Sequence, residues 1–277
     1  MKLALAAQKK AAPQIRKCFD ALCGEAVSVL ADYPESNPEG LHEARKAVKR
    51  LRALLRLLRG IVPDKERREI DQTLGKASRK LHHLRDREVL LDLLQQWNRE
   101  LPLGRSPVLD RALSKLIHAI KSQPAALPGE EECRLLQERF AQKLKQAGKR
   151  FHKLDLSSVN WKSLKKNLLN YEASKDKARQ SCMEAPTEKH LHNWRKRLKD
   201  CFYQSIFLKE RLELTDEYLA SIKAEESTLS DARDCDLARE MLPPLASTCL
   251  TPTERRSLSH FLGKKQRALD PLNVATA

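Results

Sequence analysis

One basic pattern occurs twice in this 277-residue chain, and the duplication limits the folds that the chain can adopt. The two copies are Leu41-His42-x-x-Arg45-Lys46-x-x-Lys49 and Leu191-His192-x-x-Arg195-Lys196-x-x-Lys199. A shorter pattern follows each copy, first as Leu84-Arg85-Asp86 and then as Ala232-Arg233-Asp234. Arg85 comes 43 residues after His42, and Arg233 comes 41 residues after His192. Two motifs that recur at nearly constant spacing predict two copies of one structural unit.

The composition predicts that this unit is helical. Only 8 residues are glycine and 5% are aromatic, whereas a β-sandwich or β-barrel needs many turns. The fold class is therefore predicted to be all-α. Apolar spacing and proline or glycine breaks place the helices at residues 1–32, 41–59, 65–99, 107–121, 130–153, 158–182, a segment that carries His192, 213–242 and 252–269.

A stretch rich in proline and glycine divides the chain near its middle. Pro124, Pro128 and Gly129 form the strongest break, which predicts a first helical bundle over residues 1–126 and a second over residues 127–277, in tandem. Single residues set three further predictions. The segment Asp155-Leu-Ser-Ser is predicted to supply the N-cap of the helix at 158–182, Pro243-Pro244 to end the helix at 213–242, and Pro13 to interrupt the first helix.

The helix that begins at Leu41 carries a line of basic side chains. Steps of three and four residues place them along one stripe, which consists of His42, Arg45, Lys49, Arg52, Arg56 and Arg59. An apolar seam from Leu41 to Leu58 runs about 100° away around the same helix. The stripe is therefore expected to border a packed interface.

The energetics of this stripe favour a ligand. Like charges at these spacings destabilise a helix by about 0.2–0.5 kcal/mol per pair, so the five steps together cost about 1–2 kcal/mol. Glu43 is the only acid between residues 41 and 59. Because a solvated helix face usually mixes both signs of charge, we interpret the stripe as a polyanion-binding face. A solvated basic face is the alternative.

The second copy of the pattern is less basic. His192, Arg195 and Lys199 keep the line, but Phe202 and Ile206 stand where further charges would follow. A basic segment also leads to the Arg85-Asp86 pair, and it contains Lys76, Arg79, Lys80, His82 and His83. In both Arg-Asp pairs the acid is interpreted as holding an arginine in place, and direct contact of the arginine with a ligand is the alternative.

Charge and cysteine usage limit the partners and the compartment. The net charge of +16 favours nucleic acid, an anionic membrane or another polyanion as partner. The seven cysteines are scattered without a C-x-x-C pair, which predicts reduced thiols and no zinc site. No apolar run approaches the roughly 20 residues that span a bilayer, and the N-terminal run is too short for a signal peptide. We expect a cytoplasmic protein without a membrane role.

The repeated L-H-x-x-R-(+)-x-x-(+) helix and the segment Leu84-Arg-Asp-Arg-Glu-Val89 resemble the CHAD domain, the conserved histidine α-helical domain, over residues 10–270. The resemblance implies two four-helix bundles related by pseudo-two-fold symmetry, with a basic cavity or groove between them. It also implies binding of inorganic polyphosphate and association with polyphosphate granules. Many relatives carry a triphosphate-tunnel domain with an E-x-E-x-K motif. Glu130-x-Glu132-x-Arg134 departs from that motif at its last position, which indicates a standalone member.

The resemblance and the charge pattern together give a predicted ligand set. Asp200 and Phe202 stand where the family often keeps basic residues, so the second copy is expected to contribute less than the first. No cofactor or metal is expected, and the chain is expected to be a monomer or a weak dimer. The predicted polyphosphate-binding residues are His42, Arg45, Lys46, Lys49, Arg50, Arg52, Arg56, Lys76, Arg79, Lys80, His83, Arg85, His192, Arg195, Lys196, Lys199 and Arg233.

Two other classes of function compete with this interpretation. An enzyme that transfers or hydrolyses phosphate is disfavoured, because the chain contains no G-x-x-x-x-G-K-[ST], G-x-G-x-x-G, G-x-S-x-G or H-E-x-x-H motif. A nucleic-acid-binding protein fits the charge. The basic helices, however, contain few aromatic residues that stack on bases and few Asn or Gln residues that read base edges.

Overall fold

The structure is a computed structural model, and it describes residues 4–6, 8–33, 39–100, 106–122 and 130–268, without the side chains of residues 82–88. The described residues form ten α-helices, which confirms the predicted all-α class. Their bounds are α1 Ala11–Ala31, α2 Gly40–Leu57, α3 Asp64–Lys80, α4 His82–Glu100, α5 Pro107–Ser122, α6 Glu130–His152, α7 Trp161–Glu184, α8 Glu188–Leu212, α9 Asp216–Cys249 and α10 Pro252–Ala268. None of the described helices is long and apolar enough to cross a membrane.

The helices form two compact units, and each unit takes helices from both repeats. Unit 1 comprises Met1–His82 and Glu130–Glu226, and unit 2 comprises His83–Gly129 and Ser227–Ala277. The predicted boundary between residues 126 and 127 lies outside the described residues. The division into tandem bundles at 1–126 and 127–277 therefore stays a prediction. The contacts among the described residues group the helices so that each unit contains helices from both halves of the sequence.

In unit 1, four helices form a closed bundle to which a helix pair is attached. Helix α1 packs on α2 and α6, and α3 packs on the same two helices. Phe19 of α1 and Phe151 of α6 stack with their ring centroids 3.8 Å apart. Helices α7 and α8 pack on each other, and α8 also packs on α2. As a result α2 is enclosed, since apolar residues on several of its faces, including Ala47, Leu54 and Leu58, are fully buried.

Unit 2 has its own core, which residues of four helices share. Leu94 and Trp97 of α4, Leu113 of α5, Leu242 of α9 and Leu258 of α10 belong to this apolar cluster. The repeat of an apolar residue every three or four positions in each helix is what allows this packing.

Two predicted helices have different ends in the structure. The single helix predicted at 65–99 is broken at Leu81, where α3 ends and α4 begins, and the Leu81 side chain is fully buried at this corner. Conversely, α9 continues through Pro243 and Pro244 to Cys249. Both prolines are exposed, whereas Leu242 and Ala246 beside them are buried. Core packing of these neighbours therefore outweighs the roughly 3 kcal/mol cost of a proline in a helix.

The capping predictions need correction as well. Asn160, and not Asp155, caps α7, because the Asn160 side chain accepts a hydrogen bond of 2.9 Å from the backbone N–H of Ser163. Asp155 instead accepts a hydrogen bond from the backbone N–H of Ser157. Pro13 interrupts nothing, since α1 begins at Ala11 and the first turn of a helix tolerates proline.

Candidate functional site

The two copies of the basic motif lie on α2 and α8, and unit 1 packs these helices against each other. Gln204 of α8 donates a hydrogen bond of 3.4 Å to the backbone oxygen of Ala53 in α2. Arg56 of α2 lies 2.5 Å from the carboxylate of Asp200 in α8. The fold therefore brings together two basic segments that are 150 residues apart in the sequence.

Four cations from the two motifs act on one another at this junction. The pKa of Lys49 falls from 10.5 to about 7 because burial disfavours its charge and because Lys199, Arg45 and Arg195 repel it. Burial and Arg195 also lower the pKa of Lys199. Arg45 and Lys49 come from α2, and Arg195 and Lys199 come from α8. We call these four residues the α2/α8 cationic cluster.

A buried carboxylate opposes the charge of the cluster. Glu226, in the first third of α9, is 5% exposed and lies 2.9 Å from the Lys199 ammonium. It also lies 2.5 Å from Lys223, so its single charge is shared between two lysines. Its attraction is among the causes that act on Lys49 but is smaller than the three repulsions. Glu226 thus offsets part of the charge of the cluster, and the mutual repulsion of the four cations still lowers the pKa of Lys49.

Further along the α2 stripe, Arg52 and Arg56 are paired with carboxylates. Arg52 forms a forked pair with Asp71 of α3, with N–O distances of 2.8 and 2.9 Å. Arg56 lies 3.7 Å from Asp71 in addition to its contact with Asp200. Burial raises the pKa of Asp71, but the hydrogen bond and charge of Arg52 outweigh it, and the pKa is lowered. These arginines connect α2 to α3 and α8, which is a structural role.

Two further predicted ligand residues on α2 have acidic partners. Arg50 is mostly buried and lies 2.8 Å from Glu25, so it joins α2 to α1. Lys46 lies 3.3 Å from Glu43, one turn earlier on the same helix. The pair of Lys46 is partly exposed and therefore weak, since exposed pairs contribute about 0–1 kcal/mol.

The remaining predicted residues have different surroundings. His42 is half-buried at the start of α2, and His192 and Lys196 are exposed on α8. Burial and the charge of Arg56 lower the pKa of Lys196. Three of the predicted ligand residues are exposed on α3, namely Lys76, Arg79 and Lys80.

The second motif pair lies in unit 2. The side chains of His83 and Arg85 are outside the described residues. Arg233 forms an ion pair of 3.2 Å with Glu240, seven residues further along α9. Arg233 is therefore held by Glu240, and the predicted role of Asp234 as the acid that holds an arginine stays a prediction.

Sequence reasoning missed three carboxylates that shape the site. Asp71 and Glu226 stand in ordinary charged helices, and no local pattern marks them as partners of α2 or α8. Asp200 left a signal, because it follows Lys199 at a place where the basic run of the second motif stops. The structure shows the reason, which is that Asp200 pairs with Arg56.

Comparisons with known proteins identify the family and the fold. The family model of the CHAD domain matches residues 13–243. The crystal structure of the CHAD domain from the plant Ricinus communis is similar at a TM-score of 0.66 and 19% sequence identity, over 100% of this chain and 93% of that chain. At this identity the likeness shows the fold. No curated protein matches the sequence.

Proposed function

Because the chain belongs to the CHAD domain family, which is associated with polyphosphate binding, we propose that it binds inorganic polyphosphate at the α2/α8 cationic cluster. The observation that carries the proposal is the convergence of four cations from α2 and α8, whose repulsion, together with burial, lowers the pKa of Lys49 to about 7. A side chain kept in this state destabilises the free protein. A bound anion would relieve the repulsion among the four cations, so the free energy that this repulsion costs the free protein would be recovered when a ligand is present.

The chemistry of the cluster fits a flexible chain of phosphates. Arg45 and Arg195 present forked guanidinium groups, which suit two oxygens of one phosphate, and Lys49 and Lys199 act as compact point charges. Polyphosphate carries about one negative charge per unit and has no bases to be read. A ligand of this kind needs several neighbouring cations, and both copies of the motif contribute cations to the cluster.

The arginines that already pair with carboxylates are assigned a supporting role. Arg52 and Arg56 hold Asp71 and Asp200, so a ligand would have to compete with carboxylates already in place. We therefore assign the main ligand contacts to the cluster and assign Arg52 and Arg56 to its support. The asymmetry expected from the sequence, with the first copy dominant, becomes a nearly equal division between α2 and α8.

Binding is expected to depend strongly on salt, since it releases counterions. By analogy with single-stranded nucleic acid, the logarithm of the affinity should fall with the logarithm of the salt concentration, with a slope of about −0.7 per phosphate neutralised. Titration of the full chain with fluorescently labelled polyphosphate between about 50 and 500 mM salt tests this expectation. An affinity that ignores salt over this range would contradict the proposal.

Nucleic acid is the second candidate ligand, and its support is the charge of +16. Recognition of single strands normally uses exposed aromatic faces. Phe202, the aromatic residue beside the second motif, has the Lys223 ammonium 5.8 Å from its ring centre. RNA of equal total charge should therefore displace labelled polyphosphate only at higher concentration. Displacement at equal concentration would favour the nucleic-acid interpretation.

We further propose that the protein binds polyphosphate without hydrolysing it, and that this binding directs it to polyphosphate granules. Incubation of the purified chain with polyphosphate should release no orthophosphate above the rate of a buffer blank. A fluorescent fusion should lie on granules in cells that contain them, and a fusion without the cluster charges should not. Phosphate release at a steady rate that scales with protein concentration would refute the non-catalytic role.

A further inference from the structure

A polar cavity lies in unit 1, beside the C-terminal end of α2 and against α7 and α8. Its volume is about 270 Å³. Its lining includes Arg59, Asn167, Asn170, Tyr171, Ser174 and Arg197. None of these residues belongs to the α2/α8 cationic cluster, although Arg59 is the last residue of the basic stripe predicted on α2. The cavity therefore needs an explanation of its own.

The lining of this cavity consists of hydrogen-bond donors and positive charge. Arg59 and Arg197 supply two guanidinium groups, Tyr171 and Ser174 supply hydroxyls, and Asn170 supplies an amide. No carboxylate of the described residues contributes to the lining. Within the described part of the chain, neither Arg59 nor Arg197 forms an ion pair with an acid, in contrast to Arg52 and Arg56. These two charges are therefore available to an anion.

The end of α2 would normally disfavour an anion here, because the last carbonyls of a helix point outward with partial negative charge. Asn167 of α7 removes much of this obstacle. Its amide nitrogen donates to the backbone oxygens of Leu57 and Arg59, at 2.8 Å each. The acceptors that would repel a phosphate are thus already bonded to the protein.

Tyr171 places a neutral donor in the same wall. It is only 7% exposed. Burial and the charge of Asp200 raise the pKa of its phenol, while Arg56, Arg197 and Arg59 act in the opposite direction. The hydroxyl therefore keeps its proton at neutral pH and lies in the field of several arginines. A phosphate oxygen is the acceptor that such a group suits best.

We propose that this cavity is a separate binding site for a compact phosphate anion of one or two phosphate groups. A volume below about 300 Å³ is too small for most organic ligands, and two arginines match two negative charges. Free pyrophosphate and the end of a longer phosphate chain share this chemistry. The site does not depend on polyphosphate binding at the α2/α8 cationic cluster.

Calorimetric titration of the full chain with pyrophosphate at low salt tests the proposal, with the backbone amide signal of Gly60 as a local reporter in NMR spectra. Wild-type protein should bind pyrophosphate, and Arg197→Gln should weaken this binding about tenfold or more, as expected for a charged hydrogen bond. Asn170→Asp places a carboxylate at the exposed rim without disturbing the core, and it should abolish binding. The control Lys165→Ala/Lys166→Ala on the outside of α7 should leave the affinity within about twofold.

The double variant Arg45→Ala/Lys199→Ala separates the two sites. It should retain pyrophosphate binding and the Gly60 shift, because it changes only the cluster. If pyrophosphate binding is lost in this variant and kept in Arg197→Gln and Asn170→Asp, the cavity is not the site. Absence of binding at millimolar pyrophosphate would overturn the proposal too. Competition of polyphosphate with bound pyrophosphate distinguishes the two possible occupants. Displacement in proportion to the number of polyphosphate chain ends would identify a chain end as the occupant. No displacement by long chains would identify the free anion as the occupant.

Discussion

Replacement of Lys49 by methionine should stabilise the protein and weaken its binding of polyphosphate. Methionine has a similar length and no charge, so it keeps the packing at the α2/α8 junction and removes the repelled ammonium. The pKa of Lys49 falls from 10.5 to about 7 on folding. A difference of this size corresponds to about 4–5 kcal/mol between the two protonation states.

The measured gain should be smaller than that figure. Lys49 is half-buried, so water screens part of the repulsion, and the substitution also removes the attraction of Glu226. We expect Lys49→Met to raise the free energy of unfolding at pH 7 by about 1–4 kcal/mol, the range found when buried ions are replaced by apolar side chains.

The pH dependence gives the sign of the effect. The folded-state pKa of Lys49 lies below the unfolded value of 10.5, so the unfolded state binds the extra proton between about pH 7 and 10.5. The stability of the protein therefore rises with pH across that window as Lys49 loses its proton. Below about pH 7 Lys49 is charged in both states, and its destabilising effect is complete. Lys49→Met should lose this rise.

Urea denaturation followed by circular dichroism measures both effects, at pH values from 6 to 9. The matched control is Lys46→Met, one turn earlier on α2, where the lysine is partly exposed and pairs with Glu43. This control should change stability by less than about 1 kcal/mol. A Lys49→Met variant that is less stable than wild type at pH 7 would refute the repulsion argument, because it would show that Lys49 makes a net stabilising ion pair.

Three further outcomes follow from the same contacts. Glu226→Gln should tighten polyphosphate binding, because it removes a carboxylate that competes for Lys199; a fluorescence anisotropy titration measures this, and weaker binding would argue against competition. Polyphosphate binding should weaken about fivefold from pH 7 to pH 8 as Lys49 loses its proton, and Lys49→Arg should flatten this part of the profile; an unchanged profile in that variant would exclude Lys49 as its source. Arg52→Ala should destabilise the fold by about 1–3 kcal/mol, because it leaves the carboxylate of Asp71 without its forked partner, and should weaken polyphosphate binding much less than loss of a cluster charge; a larger effect on binding than on thermal stability would reverse the assigned role.

The local parts of the fold were predictable from the sequence. Helix formers and sparse glycine gave the all-α class, and the apolar seam beside the basic stripe indicated that α2 borders a packed interface. The break at Leu81 was not predictable, because Leu81 is a good helix former and the corner depends on burial of its side chain. The continuation of α9 through Pro243 was not predictable for a related reason, since packing of Leu242 and Ala246 decides it.

The site was predictable in its residue types and less so in its charge balance. Duplication of the motif led to Arg45, Lys49, Arg195 and Lys199. Their carboxylate neighbours come from other helices, and no spacing rule relates Glu226 to Lys199 before the chain folds. The stripe on α2 therefore looked uniform in sequence, whereas in the structure Arg45 and Lys49 join the cluster and Arg52 and Arg56 pair with Asp71 and Asp200.

The affinity of polyphosphate for the double variant Arg45→Ala/Lys199→Ala, compared with Lys165→Ala/Lys166→Ala, tests the central claim most directly. Both variants remove two positive charges, the first from the cluster and the second from an exposed face of α7. The cluster variant should bind at least about tenfold more weakly than wild type at fixed salt, and the surface variant should stay within about twofold. Equal losses in the two variants would show that overall charge, and not the α2/α8 cationic cluster, holds the ligand.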